Sequence, residues 1–186
     1  NGVTLLLATF FYSFQIYADF SGYTDIALGS AKILGINLTN NFNRPYFATS
    51  IKEFWNRWHI SFSLWLRDYL FLPLAVSFTN MVKRQSFLDI SADKWIFMLA
   101  TMITFAVCGI WHGEGFNFLI GGIIFGVYLT IANWTLGINK KLKKALRLSK
   151  KSFVLKTCNI LVTFILVSFA WIFFRAATAY DAINII

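Results

Sequence analysis

Residues 95–134 read WIFMLATMITFAVCGIWHGEGFNFLIGGIIFGVYLTIANW, and Glu114 is the only Asp, Glu, Lys or Arg among them. A helix that crosses a bilayer needs about 20 predominantly apolar residues. Two such helices fit here, near 95–111 and 115–134, on either side of CGIWHGEGFN (108–117). Glycines at 109, 113 and 115 interrupt the helical pattern, and His112 and Glu114 place titratable groups where the first apolar run ends. The stretch therefore reads as a membrane-crossing helical hairpin with a polar point at its turn.

The rest of the chain agrees. Of its 186 residues, 58% are hydrophobic, 19% aromatic and 13% charged, whereas soluble domains carry about 25% charged residues. An all-α, polytopic integral membrane protein is expected, as a single membrane domain over 1–186. The opening NGVTLLLATFF has no basic n-region of a secretory signal. The chain reads as a C-terminal piece of a longer one, without earlier membrane helices. The net charge of +9 would suggest nucleic acid in a soluble protein. Here seven bases and no acid sit in Asn139–Lys151, NKKLKKALRLSKK, so the charge marks topology and no nucleic-acid partner is expected. Cys108 and Cys158 fall in apolar runs and are read as buried thiols, with neither disulfide nor metal spacing.

Further spans are expected near 3–18 and 153–174. Residues 19–34 read as a separate helix, interfacial or re-entrant, ended by Gly35, with Ser21, Asp25 and Gly29 as a close-packing stripe. Asp19 and Asp25 are too polar for lipid and are expected to face protein. Pro45 is expected to hold Arg44 extended. Residues 50–72, SIKEFWNRWHISFSLWLRDYLFL, read as one interfacial or re-entrant helix. Lys52, Asn56, His59, Ser63 and Arg67 recur on it at steps of three or four and form a polar stripe. Residues 79–94 read as a polar loop. The positive-inside rule places loops 79–94 and 139–151 in the cytoplasm. His112 then lies toward the outer face, and His59 is expected nearer the inner one.

Thr101, Thr104, Cys108 and His112 make a second, weakly polar stripe. A neutral imidazole can take a proton from a hydroxyl near neutral pH. The same residues also fit a Trp-His pair at a helix end. On pattern alone His59 fits a structural histidine in a buried polar network better than a functional one. The tryptophans at 55, 58 and 65 suit anchors and packing, and Glu114 suits a surface position. Arg44, Arg57 and Arg67 suit pairing with Glu53 or Asp68, with binding of an anionic group as the alternative. Two histidines alone make no metal site.

The stretch FQIYADFSGYTDIALGSAKILGINLTNNFNRPYFATSIKEFWNRWHISFSLWLRDYLFLPL (14–74) closely resembles the membrane-bound O-acyltransferase family in its alginate O-acetyltransferase branch. CGIWHGEGFNFLIGGIIFG (108–126) resembles the family's second signature, and AWIFFRA (170–176) a third, weaker one. The resemblance implies a ring of helices around a transmembrane tunnel, present here in part. It implies acyl transfer to a hydroxyl, with His112 as catalytic base and His59 as a second position important for activity. It also implies an activated acyl donor as cosubstrate, acetyl-CoA or another acyl carrier, with no permanently bound cofactor and no metal. The expected setting is the bacterial cytoplasmic membrane. Partners would be the lipid bilayer, an extracytoplasmic glycan such as an alginate-like polymer or peptidoglycan, and a periplasmic or membrane protein of the same pathway. Asn117, Trp111 and the backbone amides near the glycines are candidate oxyanion donors. D-alanyl transfer to teichoic acid is the alternative within the family. A transporter or channel with histidine proton relays, or a scaffold for glycan export, is the alternative outside it.

Overall fold

The computed structural model of the chain describes residues 1–83, 85–145 and 152–186, with backbone alone for residues 140 and 142–145. The molecule is built almost wholly of helices. Among the described residues four are long and apolar enough to cross a membrane: α1 (Gly2–Ile33), α5 (Ala92–His112), α6 (Phe116–Trp134) and α8 (Phe153–Arg175). Shorter helices are α2 (Ile51–Trp55), α3 (Ile60–Leu66), α4 (Leu72–Met81), α7 (Leu136–Ala145) and α9 (Ala179–Ile185). A π-helical turn, Arg67–Phe71, joins α3 to α4.

α5 and α6 form the expected hairpin. Two bilayer helices gain no hydrophobic drive by leaving lipid for each other, so they associate through close packing. Glycine makes that possible here. A Cβ on Gly109 would stand 2.5 Å from the Phe118 carbonyl oxygen, and one on Gly122 would overlap the Phe105 carbonyl. At the far end Trp95 and Trp134 meet edge to face, Lys94 Nζ donates to the Trp134 carbonyl, and Trp134 Nε1 donates to that of Lys94. α8 runs antiparallel to α6, pairing Trp171 with Phe125 and Phe174 with Gly121. α1 lies parallel to α8, with Phe10 against Phe164 and Ser13 Oγ 2.9 Å from Ser168 Oγ. The core between them is aromatic: Phe54, Trp58, Phe125 and Trp171, with Ala48, Ile51, Val167 and Ala170.

Several sequence expectations are corrected. Residues 3–18 and 19–34 are one helix, because nothing between Ala18 and Asp19 breaks the backbone ladder. Its end is as expected: Gly35 adopts φ +74°, Ile36 N–H donates to Ala31 O and Gly35 N–H to Lys32 O, the two bonds of a Schellman cap. Among the described residues a Cβ on Gly29 would meet nothing, Ser21 is half-buried, and Asp19 and Asp25 are exposed. α1 touches the other elements along one narrow strip, which leaves these groups outside it.

Residues 50–72 are not one helix. The chain turns between Trp55 and Ile60, with His59 left-handed at φ +45°. Beyond that turn, residues 60–81 run antiparallel beside α5, with Phe62 on Trp111 and Phe71 on Phe97. Arg44 is left-handed at φ +47° rather than extended. Its carbonyl accepts from Phe47 N–H and from Arg57 Nη1, which holds it in the turn. The loop over 79–94 contains the end of α4 and a short hairpin, β1 (Ser86–Phe87) and β2 (Ile90–Ser91). Leu88 and Asp89 both have positive φ at its tip, as a two-residue type I′ turn requires. The first part of the basic block is helical in α7, while residues 146–151 lie outside the described residues. Cys108 is buried as expected, but Cys158 is exposed.

Candidate active site

His112 is the last residue of α5, and its position decides its chemistry. Its Nδ1 lies 2.6 Å from the Cys108 carbonyl oxygen, one turn back along the same helix. A carbonyl can only accept, so Nδ1 carries the proton and Nε2 is left with the lone pair. The ring is fixed laterally by Trp111 and Phe174, each edge to face at 4.9 and 5.3 Å between centroids. The imidazole remains exposed at its helix end.

His59 stands at the N-terminus of α3. Its ring stacks on Phe62 at 4.9 Å, and Phe20 meets it edge to face at 4.8 Å. Phe62 in turn stacks on Trp111 and meets His112 edge to face. One phenyl ring thus separates the two histidines, and both lie at the same end of the helices. The expectation that they face opposite sides of the membrane is therefore corrected. The turn at residues 56–59 carries His59 toward the α5–α6 turn, a direction a straight helix would not give. Burial, with the charge of His112 as a lesser cause, pushes the His59 imidazole down to about 4, so it is neutral near pH 7.

The two polar stripes meet only in part, since His59, Cys108 and His112 lie off the wall they share. A cavity of about 630 Å³ lies between the segment 50–71 and helices α5 and α6. Lys52, Asn56, Ser63 and Arg67 line it on one side, and Thr101 and Thr104 on the other. His59 is not among the lining residues, because its left-handed backbone turns it off the stripe. The wall is otherwise largely apolar, with Trp55, Leu66, Phe71, Phe97, Phe105 and Leu129. The cavity extends from Asn133 and Leu136, at the end bearing α7, to Thr104 and Phe105, one turn short of Cys108. Trp55 Nε1 is buried and has no partner among the described residues.

Of the arginines expected to pair, Arg57 and Arg67 do so, and Arg44 makes no ion pair among the described residues. Arg57 Nη2 lies 2.6 Å from Glu53 Oε1, and Arg67 Nε 2.7 Å from Asp68 Oδ1. Glu53 Oε2 also accepts from Thr49 N–H and Oγ1, while Glu53 N–H donates to Ser50 Oγ. Burial raises the Glu53 carboxyl, but the Thr49 and Arg57 bonds outweigh it and hold the group below its usual value. Glu114 is exposed, as expected of a surface residue.

Asn117 is not a free oxyanion donor. It is buried at the start of α6, and its Nδ2 donates to the carbonyls of Phe173 and Ala176 at 3.1 and 2.9 Å. Both amide protons are thereby used to close the end of α8, whose last carbonyls lack helical partners. Asn41, unremarked in the sequence, touches His59. Its Oδ1 lies 3.4 Å from His59 Nδ1, and no local pattern in residues 37–44 points to that contact.

A polytopic helical bundle that sets two imidazoles side by side at one end, with a polar-striped cavity below them, defines a membrane protein with groups suited to acid–base chemistry at that end. The chain belongs to the membrane-bound O-acyltransferase family, whose pattern matches residues 2–170. It is 36% identical over 176 residues to a peptidoglycan O-acetyltransferase of Helicobacter pylori, covering 94% of this chain and 29% of that protein. It is 37% identical over 165 residues to a probable alginate O-acetylase, AlgI, of Pseudomonas aeruginosa, covering 89% of this chain and 27% of that one. A teichoic acid D-alanyltransferase of Bacillus subtilis is 36% identical over 138 residues, 74% of this chain and 33% of that protein. The chain thus spans about three tenths of the length of the curated relatives it matches.

Proposed function

We propose that these residues form part of a membrane O-acyltransferase that moves an acetyl group onto hydroxyls of an extracytoplasmic polysaccharide, alginate-like or peptidoglycan. The observation that carries the reading is the His112 Nδ1 bond to the Cys108 carbonyl, which leaves Nε2 bare. In the reaction, Nε2 takes the proton of the acceptor hydroxyl as its oxygen attacks the acyl carbonyl carbon. The tetrahedral intermediate collapses, the bond to the donor's leaving group breaks, and the imidazolium returns the proton to that group. The new ester and the protonated leaving group balance the step. His59, neutral and close by, assists at the same centre.

Sidedness follows the charge. Loops 79–94 and 139–151 lie in the cytoplasm, and the histidines lie toward the outer face of the bacterial cytoplasmic membrane. The cavity between α3 and the α5–α6 hairpin is the path for the donor, acetyl-CoA or another activated acyl carrier. Its apolar wall suits an acyl chain carrier, and Lys52 and Arg67 suit an anionic group on it. The acceptor reaches His112 from outside, presented with a periplasmic or membrane partner of the same pathway. The teichoic acid relative keeps one second reading open, D-alanyl transfer with the same machinery.

His112→Ala in the full chain is expected to lose transfer by at least about 10²-fold while inserting in the membrane normally. Mild base should release acetate from the surface glycan of cells carrying the intact protein and none from the variant. Near-normal ester formation by the variant would sink the base assignment. Release of D-alanine in place of acetate would select the second reading.

A further inference from the structure

α3 has an unusual start. Its N-cap residue is His59, whose side chain forms no capping bond. The first amides of a helix lack intrahelical partners and are ordinarily served by an N-cap oxygen. Here they are served from another segment. Ile60 N–H donates to the Asn41 backbone carbonyl at 3.0 Å, and Ser61 N–H donates to Asn41 Oδ1 at 3.1 Å. Ser61 Oγ donates to the same oxygen at 2.7 Å. A further backbone bond, Asn43 N–H to the Arg57 carbonyl at 3.0 Å, clamps residues 41–43 onto the turn.

This arrangement settles which atom of the amide faces His59. An amide that accepts from a backbone N–H must present its oxygen there, so the atom 3.4 Å from His59 Nδ1 is an acceptor. Nδ1 is then the donor, at the long end of hydrogen-bonding distance. The other nitrogen, Nε2, is left unprotonated, the same tautomer that the Cys108 carbonyl imposes on His112. The backbone matters as well. A left-handed non-glycine residue is strained and persists only where its surroundings over-determine it. The Asn41 contacts on the residue itself and on the two that follow supply that determination.

We propose that Asn41 is the positioning residue of His59: its side-chain oxygen caps α3 from outside and holds the imidazole in the Nδ1–H tautomer, with Nε2 as the free base. The catalytic consequence rests on His59 serving the transfer reaction proposed above. Any acceptor of this reach fits the role, so aspartate replaces asparagine and alanine does not.

The test uses the full chain, labelled with 15N-histidine in lipid nanodiscs, with His59→Gln and His112→Gln spectra to assign the rings. His59 should give the Nδ1–H pattern in the intact protein. In Asn41→Ala it should move to the Nε2–H tautomer, and in Asn41→Asp it should keep Nδ1–H. Transfer by Asn41→Ala should fall at least about 10-fold in kcat with KM for the acceptor unchanged, and Asn41→Asp should restore it. A helix cap alone would alter stability and leave the tautomer in place. Nδ1–H retained in Asn41→Ala, or Nε2–H in the intact protein, would overturn the proposal. Full transfer by His59→Gln would overturn the catalytic consequence through the failure of the His59 reading, whatever the tautomer measurement gives.

Discussion

His112 owes its tautomer to its own helix, through a carbonyl four residues back. That bond is local, so it is foreshadowed in the spacing of Cys108 and His112. His59 owes its orientation to Asn41 and Phe20, which are distant in sequence. Protonation links that site to stability. The folded His59 is pushed down to about 4 chiefly by burial, against 6.5 when free. The unfolded state therefore binds more protons between those values, and stability falls as pH drops from 6.5 toward 4. Melting temperature in detergent should decline across that window, and His59→Gln should lessen the decline. An unaltered slope would show that His59 is not its source. Asn117 makes a separate prediction. Asn117→Ala removes two bonds to buried carbonyls and should cost about 1–3 kcal/mol, read as a lower melting temperature. A shift within error would mean that the end of α8 is held by other contacts.

The α5–α6 hairpin is the element on which the His112 end depends. Its closest approach is at Gly109 and Gly122, where each helix meets the backbone of the other. Gly122→Leu forces a side chain against the Phe105 carbonyl, a backbone atom that cannot rotate away. The variant should be destabilised by at least about 1–3 kcal/mol and lose transfer. Gly137→Leu, at a glycine with nothing within 4 Å of its Cβ, serves as the control and should behave as the parent. Equal stability of the two variants would refute the close-packing account. The π-helical turn at Arg67–Phe71 is the other decisive element feature. It lies where Arg67 lines the cavity and pairs with Asp68, so a basic group is held there with its charge partly balanced.

At the scale of the whole molecule, the ends of the bundle are chemically distinct. The β1–β2 hairpin and α7 share one end, tied by the Lys94–Trp134 bonds. The histidines, Trp111 and the end of α8 share the other. On the sidedness proposed above, Leu88→Cys should react with an impermeant maleimide only after the membrane is opened. Glu114→Cys should react in intact spheroplasts. The reverse pattern would invert the orientation and with it the direction of donor entry.

Much of this was legible in the sequence, and the division has a physical cause. Helices α5, α6 and α8 were readable because bilayer crossing demands long apolar runs, a one-dimensional constraint. The Gly35 cap, the Glu53–Arg57 pair and His112 as a candidate were readable because their partners lie within one or two helical turns. The continuity of α1 was not, since an aspartate after an apolar run mimics a boundary although the backbone ladder continues through it. The break before His59 was not readable either. The periodicity of Lys52, Asn56, His59, Ser63 and Arg67 fits one helix, and nothing local shows that Asn41 will cap a second one. The sequence by itself determined a helical membrane protein of the O-acyltransferase family and named its two histidines. Only the tertiary structure decided that they meet across Phe62 at one end of the bundle, because that meeting depends on contacts between segments far apart in the chain.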